Sequence, residues 1–146
     1  MSSFVKIVFF SFLLAPLLSK ANTWGEQHCL NHGGELAVFT IQNLQIKSVK
    51  ICSFGFSSQI EVNTLDRSYM NPWGGPQANQ VYRQSDYGQF GICERNSGRR
   101  IRGRDSQGRF SDFCFFQDRS VIGTRTLEDG IQSGWNRELN RALGIF

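Results

Sequence analysis

Ile7 to Leu18 (IVFFSFLLAPLL) is an uncharged apolar run, and beyond it the chain breaks into short alternating segments. Trp24 to His32 predicts a short helix, with Asn22 or Thr23 as its cap and Gly33-Gly34 as its stop. Glu35 to Ile41 (ELAVFTI) is strand-like. Gln45 to Phe54 alternates, with Ile46, Val49 or Ile51, and Phe54 at its apolar positions. Gly55 to Ser58 reads as a turn, and Gln59 to Leu65 alternates again, with Ile60 and Val62 on one face. The pattern is a helix followed by a meander of about three strands. Met70 to Asn79, with two Pro and two Gly, reads as a linker. Strands are expected again at Gly88 to Cys93, Phe110 to Phe116 and Ser120 to Thr126. The tail, Ser133 to Leu143, places Trp135, Leu139 and Ala142 or Leu143 on one face of a closing helix, with Gly144 after it.

The pattern repeats. From Cys52 the chain reads CSFGFSSQIEVNTL, and from Cys114 it reads CFFQDRSVIGTRTL. Cys, Phe, Ser, Ile, Thr and Leu recur at the same offsets, without a gap. Cys29 and Cys93 each run on through Gly to an aliphatic residue, 64 residues apart, against 62 for the Cys52 and Cys114 segments. Self-similarity of this kind predicts two diverged copies of one small unit. The expected fold class is therefore α+β: two small modules of short antiparallel meander strands with flanking helices, stabilised by disulfides. The boundaries expected are 1–21 for a signal peptide, 22–69 for module 1, 70–80 for a linker, 81–130 for module 2 and 131–146 for the C-terminal helix. A unit of about 50 residues has a marginal core and needs disulfides or a neighbour. Phe54 and Phe116 hold equivalent places and are expected in that core.

The amino terminus sets the compartment. Lys6 precedes the apolar run, and Ser19-Lys20-Ala21 supplies small residues for a cut after Ala21. The run is shorter than the roughly 20 residues of a spanning helix. The expected product is exported, periplasmic or extracellular, with no stable membrane span. The four cysteines, Cys29, Cys52, Cys93 and Cys114, all lie beyond the leader. In a small exported chain an even set predicts disulfides. Spacings of 23 and 21 residues favour Cys29–Cys52 and Cys93–Cys114. No C-x-x-C occurs, so no metal site is expected.

Several of these stretches resemble a family of small exported bacterial domains of unknown function, often given a hemolysin label. The resemblance rests on Cys29-Leu-Asn-His-Gly33-Gly34-Glu35-Leu36, Cys52-Ser-Phe54 with Ser58 to Glu61, Gly88-Gln89-Phe90-Gly91-Ile92-Cys93, and Cys114-Phe-Phe116 with Asp118, Ser120 and Ile122. It implies a bacterial source and a disulfide-bearing domain, but no particular chemistry. In the family's pattern Cys93 corresponds to Cys52, whereas the repeat spacing makes it correspond to Cys29. Many members carry two further Cys, where this chain has Ile60 and no later partner. Occurrence of the family beside inhibitor-like domains suggests protease inhibition as an alternative.

Charge narrows the functional classes. Formal net charge is +4, and +2 once Lys6 and Lys20 leave with the signal peptide. So small an excess does not call for nucleic acid, and none is expected as a partner. No nucleophile–base pair stands out, His28 and His32 share one helix face without a third ligand, and no enzyme activity or cofactor is expected. One feature is unusual. Arg95, Arg99, Arg100, Arg102, Arg104 and Arg109 crowd into 15 residues, against Asp105 among them and Glu94 just before. Guanidinium forks suit phosphate, sulfate and carboxylate groups. The sequence thus predicts a non-catalytic binding protein of the envelope or extracellular space, with these arginines meeting an anionic partner. Alternatively, they lie in a solvated loop. A protease inhibitor presenting the loop Arg99 to Gln107 is the second reading, and a membrane-active toxin the third.

Overall fold

A computed structural model describes residues 22–41, 48–55 and 57–145. The leader expected over 1–21 and the start of the segment from Gln45 lie outside the described residues. Thr23 caps the first helix, α1 (Trp24–Asn31), accepting from the Glu26 amide at 3.2 Å. The rest follows as β1 (Glu35–Ile41), β2 (Ser48–Phe54), β3 (Ser58–Glu61), α2 (Val62–Met70), α3 (Gln77–Arg83), α4 (Ile92–Arg95), β4 (Arg99–Arg104), β5 (Phe110–Phe115), β6 (Val121–Gly123), α5 (Thr124–Asp129) and α6 (Arg137–Ala142). A 3-10 turn at Gly134–Asn136 precedes α6.

The six strands close into one antiparallel barrel in the order β1-β2-β3-β6-β5-β4. This corrects the expected pair of meander modules. Each half does supply helix, three strands and helix in that order, but its outer strands pair with the other half. β1 pairs with β4 through Thr40–Arg104 and Ile41–Gly103, and β3 pairs with β6 through Ile60–Ile122. The reason is physical. A three-stranded sheet alone exposes two unpaired edges and leaves one face without cover. Joining the edges crosswise removes both and encloses a core.

Strand alternation divides the apolar residues into two cores. Phe39, Ile41, Val49, Ile51, Phe113, Phe115 and Val121 fill the barrel, where the Phe39 and Phe113 rings meet edge to face at 4.9 Å. Gly103 belongs here because a Cβ would come within 2.9 Å of Ile41 and 3.1 Å of Phe39. Cys52, Phe54, Ile60, Cys114, Phe116 and Ile122 point outward and pack beneath the helices, against Leu65, Tyr82, Leu127 and Leu139. Phe54 and Phe116 are both buried, as expected.

Both disulfides pair as the spacings favoured: Cys29–Cys52 and Cys93–Cys114. Each joins a helix to the second strand of its half, so Cys93 corresponds to Cys29. Gly34 and Gly98 lie against the two bridges, where a Cβ would collide with both sulfur atoms.

Five further expectations need correction. Gln59 to Leu65 is strand only to Glu61, and Ser120 to Thr126 is strand only from Val121 to Gly123. Val62, Leu65 and Ser68 are buried at helical spacing, so a short run that alternates also reads as a helix, and packing selects the helix. Met70 to Asn79 is not all linker, since α3 begins at Gln77. Gly88 to Cys93 is a turn leading into α4, with Gly88 and Gly91 at positive φ. Arg99 to Arg104, read as loop, is strand β4.

Candidate functional site

Alternation along β4 places Arg100, Arg102 and Arg104 on the outside of the barrel, with Gly103 buried inside. β5 runs antiparallel beside it, in the register Arg100–Cys114, Arg102–Asp112 and Arg104–Phe110. On the other side, Thr40 of β1 pairs with Arg104 and also with Ser48 of β2. Away from the helices this outer face carries exposed Val38, Thr40, Ser48, Lys50, Arg102, Arg104 and Phe110.

The six sequence-predicted arginines are all exposed, but they are not one group. Arg95, on α4, donates to the Phe90 carbonyl at 2.8 Å. Arg99 has the barrel-facing parity of β4 and sits at the strand's end. Arg100 bridges Glu94 at 3.1 Å and Glu128 at 2.9 Å. Arg102 holds Asp112 at 2.9 Å through Nε. Arg109 holds Asp105 at 2.8 Å. Arg104 has no carboxylate within 4.0 Å among the described residues.

The structure brings Arg102 and Arg104 together around Phe110. Their guanidinium carbons lie 5.9 and 5.7 Å from the centre of its ring, within cation–π range. Phe110 is 60% exposed. Gly108, at φ +81°, closes the β4–β5 hairpin, and a Cβ there would stand 3.2 Å from an Arg104 nitrogen. The hairpin itself is pinned from within. Buried Asp105 accepts from the Gln107 and Arg109 amides, both at 2.9 Å, through one carboxylate oxygen. Burial works against its charge, but these hydrogen bonds and Arg109 hold its carboxyl below the usual range. Because Arg99–Arg104 is strand, most of the stretch Arg99 to Gln107 is not the loop that the inhibitor reading pictured.

Two other features are built of polar and aromatic side chains. Trp24, His28 and His32 stack along α1, with ring centres 4.7 and 4.5 Å apart, and Tyr69 of α2 packs on His28 at 4.6 Å. His28 is buried and its Nε2 bonds the Ala142 carbonyl at 2.6 Å, which ties α1 to α6. The shared histidine face is thus a packing surface. A cleft of about 330 Å³ is lined by Thr23, Glu26, Lys50, Glu61, Val62, Asn63 and Asp66. Lys50 bonds Glu26 at 2.8 Å and lowers its pKa, while burial pushes Glu61 up. Among the described residues no three His, Cys, Asp or Glu side chains are grouped to hold a metal ion, and no helix is long and apolar enough to cross a membrane.

Sequence reasoning found the arginines but missed Phe110, Asp112 and Glu128 as their neighbours. The available signal was the R-x-R-G-R alternation from Arg100, which marks a strand face. Which residues stand across from it depends on register, and no local pattern gives that. Comparison with known proteins finds no matching family, no matching curated protein and no matching solved structure.

Proposed function

We propose that this is an exported, non-catalytic binding protein that meets an anionic partner through the outer face of β4 and β5. The observation that carries the reading is the pairing of Arg102 and Arg104 over exposed Phe110. A guanidinium without a carboxylate partner, beside an open aromatic ring, offers a charged fork and an apolar surface in one place. Arg100 and Arg109 are neutralised by acidic neighbours, and Asp112 offsets Arg102, so Arg104 supplies most of the free charge and the arginines together contribute less than the sequence suggests. Two disulfides support a place in an oxidising compartment outside the cytosol.

Binding to an immobilised polyanion tests the proposal. Affinity should fall at least tenfold between about 0.05 and 0.3 M salt, because the Debye length that screens exposed charges shrinks from about 14 to about 6 Å over that range. The double variant Arg102→Ala/Arg104→Ala should lose most of that affinity and its salt dependence. Equal, salt-sensitive binding by the double variant would move the site elsewhere.

A further inference from the structure

We infer that the outer face of β4 and β5 binds a polyuronate, a polysaccharide carrying a carboxylate on its sugar rings. The inference rests on the binding reading above and names the ligand class of the same site.

Three features of the face fit such a chain. First, Arg104 presents its fork to solvent without a carboxylate of its own among the described residues, steadied by Phe110 and passing close over Gly108. Carboxylates match that fork with two parallel hydrogen bonds. Arg102, two residues along the same strand, stands about 7 Å away with its Nε held by Asp112, so Arg104 is the free fork and Arg102 a partly offset neighbour. Second, the Phe110 ring is largely open. Its electron-rich face suits the slightly positive C–H groups on one side of a pyranose ring. Third, the exposed Thr40 hydroxyl lies in register with Arg104, and Ser48 with Thr40, which gives sugar hydroxyls partners of their own kind.

Other polyanions fit less well. Attraction to an anionic membrane comes from the number of unpaired basic residues, which Asp112 reduces here, whereas a sugar chain adds ring and hydroxyl contacts to the one free fork. Single-stranded nucleic acid is held by successive aromatic platforms, whereas Phe110 is the one exposed aromatic on this face among the described residues.

The test compares polygalacturonate, neutral dextran, poly-L-glutamate, phosphatidylglycerol vesicles and oligo-dT as ligands of the disulfide-bonded protein. Polygalacturonate should bind at least tenfold more tightly than poly-L-glutamate, and neutral dextran should not bind. Arg104→Ala should weaken both polyanions roughly tenfold. Phe110→Ala should abolish the margin of polygalacturonate over poly-L-glutamate, and Phe110→Leu, which keeps the apolar bulk, should abolish most of it. Thermal unfolding of each variant close to that of the unaltered protein separates lost contact from lost fold. Equal affinity for the two polyanions, unchanged by Phe110→Ala, would overturn the sugar while leaving the anionic reading in place. Tighter binding of vesicles or oligo-dT than of polygalacturonate would also overturn it. No binding to any polyanion would remove both readings together.

Discussion

Thr64 and Thr126 each accept a backbone amide from the opposite half of the barrel. The Val121 amide donates to Thr64 Oγ1 at 2.9 Å, and the Gln59 amide donates to Thr126 Oγ1 at 2.8 Å. Both threonines stand near the start of the helix that follows a third strand, α2 and α5. The β3–β6 ladder contains one residue pair, Ile60–Ile122, and these hydroxyls satisfy the amides on either side of it. Each also donates onward, Thr64 to Glu61 at 2.8 Å and Thr126 to the Ser57 carbonyl at 2.9 Å. The seam that closes the barrel is therefore held by side chains as much as by backbone.

Thr64→Val and Thr126→Val should each destabilise the fold by about 1–3 kcal/mol, the cost of leaving a buried donor unpaired. Thr→Ser at either site should retain most of the stability. Urea unfolding measures both, and a loss under about 0.5 kcal/mol would mean the amide finds another partner.

Gly34→Ala and Gly98→Ala should each cost about 1–3 kcal/mol through overpacking against a disulfide. Gly33→Ala is the control. Gly33 has positive φ, +77°, but open space around its Cβ position, so backbone strain of about 1 kcal/mol is its main expense. Thermal melts of the oxidised proteins should rank Gly34→Ala below Gly33→Ala.

Stability should fall on mild acidification, in part through His32. Burial and the neighbouring His28 imidazole hold His32 below the ordinary histidine value, with Glu138 opposing them. In the window from about 6.5 down to that lowered value, the unfolded chain binds more protons than the native one. Stability contributed by neutral His32 is thus present above the window and lost as pH drops through it. Glu61, whose pKa burial raises, acts in the opposite sense and at the carboxylate end of the scale. Urea midpoints at several pH values should show a shallower acid slope in His32→Gln and an unchanged one in Glu61→Gln across the histidine window.

Asp105→Asn should loosen the β4–β5 hairpin. It removes the charge that receives the Gln107 and Arg109 amides and the Arg109 guanidinium. Trypsin should then cut after Arg109 several-fold faster than in the unaltered protein, while cutting after Arg137 is unaffected. In the unaltered protein the carboxyl lies below its usual value, so its contribution to stability is complete above about pH 4, the value in the unfolded chain, and is lost only as pH falls through the lowered native value.

Local elements were legible where a pattern of one period stood between clear stops. Thr23 and Gly33-Gly34 bracket α1, and ELAVFTI is β1 from end to end. Sequence reading also found the repeat offsets and the two disulfide pairings, and it placed a closing helix, but α6 spans only Arg137–Ala142 and Trp135, expected on its packed face, is exposed. It failed at β4, where six residues that are mostly Arg and Gly look like a solvated loop. Such a stretch is a strand because β1 and β5 supply hydrogen bonds on both sides, and because the Gly103 site admits no side chain. It failed again at Val62 and Thr124, where a strand gives way to a helix within one alternating run.

By itself the sequence determined what neighbours along the chain settle: caps, turns, alternation, the even cysteine set and the crowding of arginines. Tertiary structure decided the rest. Closure joins Thr40 to Arg104 and Ile60 to Ile122, pairs separated by some sixty residues and chosen by edges that must be satisfied and a core that must be enclosed. The same closure sets the register that brings Phe110 to Arg104 and Asp112 to Arg102. Charge density was a property of the chain, but which charges remain free is a property of the fold, because only register places a carboxylate beside one guanidinium and an aromatic ring beside another.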